Sequence, residues 1–227
     1  MRTTKNGREA GMVIAVISLT AIAAPVRAED DGHLSMPLAS FATRLDVEQP
    51  ARSANIEIAA SRLDGACIEP GATLSFDATV GPRRIGDGYL LAPAILDGEK
   101  EMAPAGGVCQ LSTTLYNAAL AAGLAIVERH PHARPSHYVA PGRDATVARF
   151  HKDLKVRNDL DQPVEIRARV IGDSILVGIF GVTPSGVAAT IETRTLSQDP
   201  LEVVTYRVTT RGGQDAPPEL LSRDVYR

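Results

Sequence analysis

Between Gln110 and Ala122, Leu111, Leu115, Ala118 and Ala122 recur at steps of four, three and four, which is one face of an amphipathic helix ending at Gly123 as a left-handed cap. Ser53 to Arg62 carries a second, shorter helical pattern, with Ile56, Ala59 and Ala60 inward, before a turn at Asp64-Gly65. Strand-like alternation follows at 73–76, and 89–96 is apolar but interrupted by Pro93, which predicts an edge position before the hairpin turn chemistry of 97–100. Beyond the long helix, 124–129 and 145–148 read as strands. Residues 154–157, 164–170 and 175–180 then alternate, with turns at Asn158-Asp159 and Gly172-Asp173 between them. A helix followed by successive hairpins predicts an α+β domain, one cysteine-bearing helix packed on an antiparallel sheet. After a loosening at 183–186, strand patterns at 187–194 and 203–211 predict a small β-rich appendage over 183–227, with a polar end at 224–227.

The first 28 residues stand outside this pattern. Arg2, Lys5 and Arg8 precede an apolar stretch from Met12 to Ala24, and Val26-Arg27-Ala28 supplies a cleavage site, so 1–28 reads as a signal peptide and 29–52 as a mobile lead-in. The apolar stretch falls short of the roughly 20 residues a spanning helix needs, so no stable membrane span is expected after cleavage. Losing four basic residues and one acidic one takes the formal charge from −3 to −6. That balance argues against a nucleic-acid partner and leaves a cell-wall component or an envelope protein.

The most informative chemistry is the placement of Cys109 where Gly106-Gly107 gives way to the helix. A thiol in a first turn feels the positive end of the helix dipole and unpaired N–H groups, both of which favour thiolate. The same residues also suit a small buried hydrophobe with close-packing glycines, and an exported chain with two cysteines suggests a disulfide by default.

The chain resembles the VanW-like family of exported bacterial envelope proteins. The residues that carry the likeness are Pro70-Gly71 with Leu74-Ser75-Phe76, Val80-Gly81-Pro82-Arg83, Gly88-Tyr89, the run from Gly106 to Asn117, Ala121 to Leu124, Glu128 to His132 and Gly142 to Val147. Ala105 stands where the family usually adds a third glycine, Ala133 where it prefers serine, and Cys67 where cysteine is unusual. The likeness makes 53–182 the family domain and implies an envelope location linked to peptidoglycan. It also implies no Cys67–Cys109 bridge, since Cys67 lies outside the family's motifs.

Three readings of the polar residues stay open. A helix-opening Cys109 followed by strands bearing His132 and then Asp144 has the element order of papain-like and transglutaminase-like hydrolases: His132 takes the thiol proton, Asp144 orients the ring, and the sulfur attacks an amide carbonyl. Gln110 and backbone N–H groups such as that of Gly107 are the oxyanion candidates, and Arg143 is a candidate for a substrate carboxylate. No cofactor is called for. In the second reading the domain is a non-catalytic binding or scaffold module, with Cys109 in the core. In the third, Cys109, His130 and His132 are three ligands of a zinc site.

Overall fold

A computed structural model describes residues 34–96 and 99–227. The expected signal peptide and the tip of the hairpin at 97–98 lie outside those residues. In chain order the elements are β1 (Met36–Arg44), α1 (Pro50–Leu63), β2 (Ala66–Ile68), β3 (Thr73–Ser75), α2 (Phe76–Val80), β4 (Leu91–Leu96), β5 (Glu99–Pro104), α3 (Val108–Ala121), β6 (Ala125–Glu128), β7 (Lys155–Arg157), β8 (Val164–Ile171), β9 (Ser174–Gly181), β10 (Val187–Gln198), β11 (Leu201–Arg211), β12 (Gln214–Asp215) and β13 (Glu219–Tyr226). The architecture is α+β, with few helices and antiparallel sheets throughout.

The main sheet runs in the order β1-β9-β8-β2. Its inner face follows the two-residue period of a strand: Ile166 and Ala168 of β8 face Ile179 and Val177 of β9 in register, all buried against the helices. On this face α1 packs against β8, and α3 against β1 and β9. A second sheet, β3-β7-β6, and a third, in which β11 is flanked by β10 and β13, close around the other sides of α3.

Helix α3 is buried nearly all round, more than its one apolar stripe predicted. Its polar residues are buried too, and each has a partner. Thr114 Oγ1 meets Thr43 Oγ1 at 2.8 Å, Ser112 Oγ donates to the Ala145 carbonyl at 2.7 Å, and Asn117 Nδ2 donates to the Arg143 carbonyl at 2.8 Å. A helix can be buried on its polar side only if such groups are satisfied.

The structure corrects three expectations. Residues 36–44, read as lead-in, form the edge strand β1, where Phe41 and Thr43 turn inward; Pro37 and a register shift between Pro37 and Ala39 break the alternation that would have shown it. Residues 145–148 are not a strand. Their backbone bonds are scattered instead: the Ala145 carbonyl accepts from Ser112 and Thr113, the Ala145 N–H donates to Thr113 Oγ1, and the Thr146 and Ala148 N–H groups donate to the His130 and Lys152 carbonyls. Finally, the polar end at 224–227 belongs largely to β13, which pairs with β11 from Leu201 to Arg207.

Candidate functional site

Cys109 is the second residue of α3, behind an N-cap Gly107 at φ 109°, and it stays partly accessible while its helical neighbours are buried. The glycine is required there, both by that φ and because a Cβ would stand 2.7 Å from Arg52 Cγ. Asn55 of α1 fixes the approach to the helix. Its amide donates to the carbonyls of Leu90 (3.0 Å) and Gly106 (3.1 Å) and accepts from the Leu90 N–H at 2.7 Å.

His132 and Asp144 both reach Cys109 from the irregular segment between β6 and β7, not from strands as the element order suggested. Nδ1 of His132 is 2.6 Å from Oδ2 of Asp144, and the same oxygen accepts the His132 backbone N–H at 2.6 Å. With Nδ1 so engaged, the other ring nitrogen is left to the thiol, which also lies 3.5 Å from the Val147 carbonyl. Asp144 is 1 % exposed and fully coordinated: Oδ1 accepts from the Tyr226 hydroxyl at 2.6 Å and from Arg129 Nη2 at 3.1 Å.

The charges follow from these contacts. Burial works against an ionised Cys109, but the hydrogen bond and charge of His132, a backbone hydrogen bond at Val147 and the charge of Arg83 outweigh it, and the thiol is held below its ordinary value. Burial opposes an imidazolium as well, yet the hydrogen bonds to Asp144 and Cys109 push His132 up to about 9. For Asp144 burial again opposes charge, and His132, Arg129 and Tyr226 together keep its carboxyl below the usual range. The shifts on sulfur and imidazole run in opposite directions, each favouring the charged form of its group.

Cys67 contrasts with this. It is exposed on β2, is a free thiol like Cys109, and is pushed up by partial burial and by the Glu165 and Glu69 carboxylates.

The remaining sequence candidates have other engagements. Gln110 donates its amide hydrogens to Thr43 Oγ1 (3.2 Å) and the Arg44 carbonyl (2.7 Å) and accepts from Arg52 (3.0 Å), so neither hydrogen is left for an oxyanion. Arg143 Nε donates to Asn117 at 2.5 Å, and its guanidinium lies over the Phe41 ring, which ties the substrate candidate to α3 and β1. His130 pairs with Glu128 at 2.9 Å, away from His132, which is turned to Asp144. Among the described residues, no group of three or more Cys, His, Asp or Glu side chains converges as a metal site would need.

Several residues escaped the sequence reading. Tyr138, six residues beyond His132, has its hydroxyl bonded to Thr113 and is pushed up first by burial and then by the charge of Cys109. Arg83 has Nη2 on Asp77 at 2.6 Å, while its buried Nη1 has no partner among the described residues. Tyr226 and Asp224 come from a segment with no recognisable signal. A polar cavity of about 550 Å³ lies away from the sulfur, walled by residues that include Tyr116, Arg129, Arg157, Arg207 and Asp224.

Fold and site define an α+β domain with a helix-borne Cys, His and Asp constellation. Residues 51–180 match the family model described as VanW like protein, and the chain belongs to the VanW-like family. It is 40 % identical over 149 residues to the uncharacterized protein YoaR of Bacillus subtilis (strain 168), an alignment covering 65 % of this chain and 49 % of that one. It is 31 % identical over 131 residues to the Vancomycin B-type resistance protein VanW of Enterococcus faecalis (strain ATCC 700802 / V583), covering 56 % of this chain and 48 % of that one. The chain thus spans about half the length of these curated relatives. No solved structure matches it.

Proposed function

We propose that this chain is an exported envelope enzyme that uses Cys109 to hydrolyse or transfer an amide, with peptidoglycan peptides as substrate. The observation that carries the reading is the chain of contacts from Cys109 to His132 to Asp144, whose charges favour thiolate and imidazolium together. Titratable groups shifted by specific charge partners cluster at functional sites.

The steps follow from the groups present. The Cys109 thiolate adds to the amide carbonyl, and the oxyanion is met at the α3 N-terminus by the N–H groups of Gly107 and Cys109, since those of Val108 and Gln110 already donate to the Ala105 and Gly107 carbonyls. Collapse breaks the C–N bond, and the His132 imidazolium gives its proton to the departing amine. The resulting thioester is released by water, giving hydrolysis, or by a second amine, giving transfer. In each case neutral His132 takes the proton from the incoming nucleophile and passes through imidazolium again as the thiolate leaves. The papain-like and transglutaminase-like comparison rests on this order of roles, and the wall peptide on the resistance named in one relative and on the secretory character of residues 1–28.

The test is to incubate the protein with muropeptides from digested peptidoglycan and follow the products by mass spectrometry. Loss of an amide-linked residue, or formation of a new amide cross-link, is expected from the wild type and absent from Cys109→Ala and His132→Ala. Products unchanged between the wild type and Cys109→Ala would overturn the reading.

A further inference from the structure

The Asp144 carboxylate takes one of its four hydrogen bonds from a sheet that the family match does not cover. Residues 51–180 contain Cys109, His132, Asp144 and Arg129. The sheet of β10, β11 and β13 lies beyond them, yet it grips the segment bearing His132 and Asp144 at several points. Tyr226 donates to Asp144 Oδ1 and accepts the Gly142 N–H at 2.7 Å. Thr205 Oγ1 donates to the Gly142 carbonyl at 3.2 Å, and the Arg227 N–H donates to the Ala133 carbonyl at 2.8 Å. At Gly142, φ is +86° and a Cβ would stand 2.4 Å from Thr205 Oγ1, so the approach demands glycine.

The strongest of these links is electrostatic. Arg129, with 5 % of its side chain exposed, gives Nη1 to both oxygens of Asp224 at 2.6 Å, while its Nη2 reaches Asp144 Oδ1 and its Nε the Asp144 carbonyl. Asp224 is itself 4 % exposed. Four charges of alternating sign therefore stand in a row: Asp224, Arg129, Asp144 and the His132 imidazolium. In a poorly solvated site a lone guanidinium beside Asp144 would cancel the carboxylate charge that His132 needs.

We propose that Asp224 of β13 is a positioning residue of the Cys109 site: as the counter-ion of Arg129 it leaves Asp144 its full charge toward His132, so that a sheet outside the matched family segment sets the protonation of the imidazole beside the reacting thiol. The inference rests on the reading of Cys109 as nucleophile. Every other group facing the triad stays in place in the test: Tyr226 on Asp144, Arg83 and the Val147 carbonyl on Cys109, and Tyr138 near the sulfur.

The experiment reads the His132 ring titration by NMR against pH in a Cys67→Ser background, assigned with a His132→Ala spectrum, and beside it thiolate absorbance near 240 nm with a Cys109→Ala reference subtracted. Asp224→Asn leaves Arg129 uncompensated beside Asp144 and should lower the His132 midpoint by about one pH unit, cutting the imidazolium fraction at the wild-type midpoint several-fold. Arg129→Gln removes the positive charge beside Asp144 and should raise the His132 midpoint. The double variant should fall between the two. Opposite signs are the discriminating result, because loosening of the fold would move both single variants the same way. Shifts of one sign, or no shift in variants whose melts show them folded, overturn the inference. If one single variant does not fold, the sign of the other and the position of the double variant relative to wild type decide. A wild type with no thiolate at neutral pH would instead refute the nucleophile reading itself, so the two failures are distinguishable.

Discussion

A single carboxylate oxygen, Oδ2 of Asp144, receives both the ring Nδ1 and the backbone N–H of His132, each at 2.6 Å. The ring is thereby fixed in rotation and in position by one acceptor, and its far nitrogen is presented to Cys109. Asp144→Asn breaks this arrangement, because an amide cannot accept from both groups and compensate Arg129 as well. It should cost on the order of 2–4 kcal/mol in denaturant melts and slow Cys109 alkylation at neutral pH by roughly ten- to a hundredfold.

The acid limb of stability gives the sign of the same effect. The folded pKa of Asp144 is depressed, so its contribution is present above the unfolded value near 4 and is lost as pH falls through the lower folded value. The advantage of wild type over Asp144→Asn should therefore be full at neutral pH and shrink below about pH 4. Melts at a series of pH values check this; a gap that widens on acidification contradicts it.

Removing His132 reverses the balance at the sulfur. Without the imidazole, burial is the largest remaining influence on Cys109 and it disfavours thiolate. In His132→Ala the pH at which alkylation reaches half its plateau should rise above that of an ordinary thiol, about 8.5, whereas in wild type it lies below. Stopped-flow alkylation across pH reads both midpoints.

Asn55 is fully buried and makes three hydrogen bonds that join α1 to the approach of α3. Asn55→Leu strips the Leu90 N–H and the Gly106 carbonyl of their partner, the Leu90 carbonyl keeping the Ala105 N–H, and should destabilise by about 2–4 kcal/mol. Because Cys109 lies only three residues beyond Gly106, the loss of reactivity should accompany the loss of stability.

Ala105 has φ +62°, a conformation that favours glycine, and it is the position where the family usually carries one. Ala105→Gly should relieve about 0.5–1 kcal/mol of strain net of the added chain entropy. A small rise in melting temperature with unchanged Cys109 reactivity is expected.

The legible part of this molecule is the part built from local pattern. The α3 helix, the β8–β9 hairpin and the Cys109 position follow from side-chain period and from glycine placement, and His132 and Asp144 stood out as polar residues within the motifs that carry the VanW-like likeness. What escaped depends on distant contact. The strand character of β1 is masked by Pro37 and a bulge, and the segment 145–148 looks like a strand until the hydroxyls of Ser112 and Thr113 take the backbone bonds of Ala145. Gln110 sits beside the cysteine in sequence, but its fate is decided by Thr43, Arg44 and Arg52. The ties from Tyr226 and Asp224 to the triad span 82 and 95 residues, and no periodicity encodes such a pairing.

The claim that Cys109 is an ionised nucleophile is tested most directly by competitive alkylation of the folded wild-type chain with substoichiometric iodoacetamide at pH 6.5, with peptide mapping of both cysteines. The account predicts label on Cys109 at least tenfold faster than on Cys67, although Cys67 is the more exposed. Equal labelling, or labelling that follows exposure and favours Cys67, would contradict it.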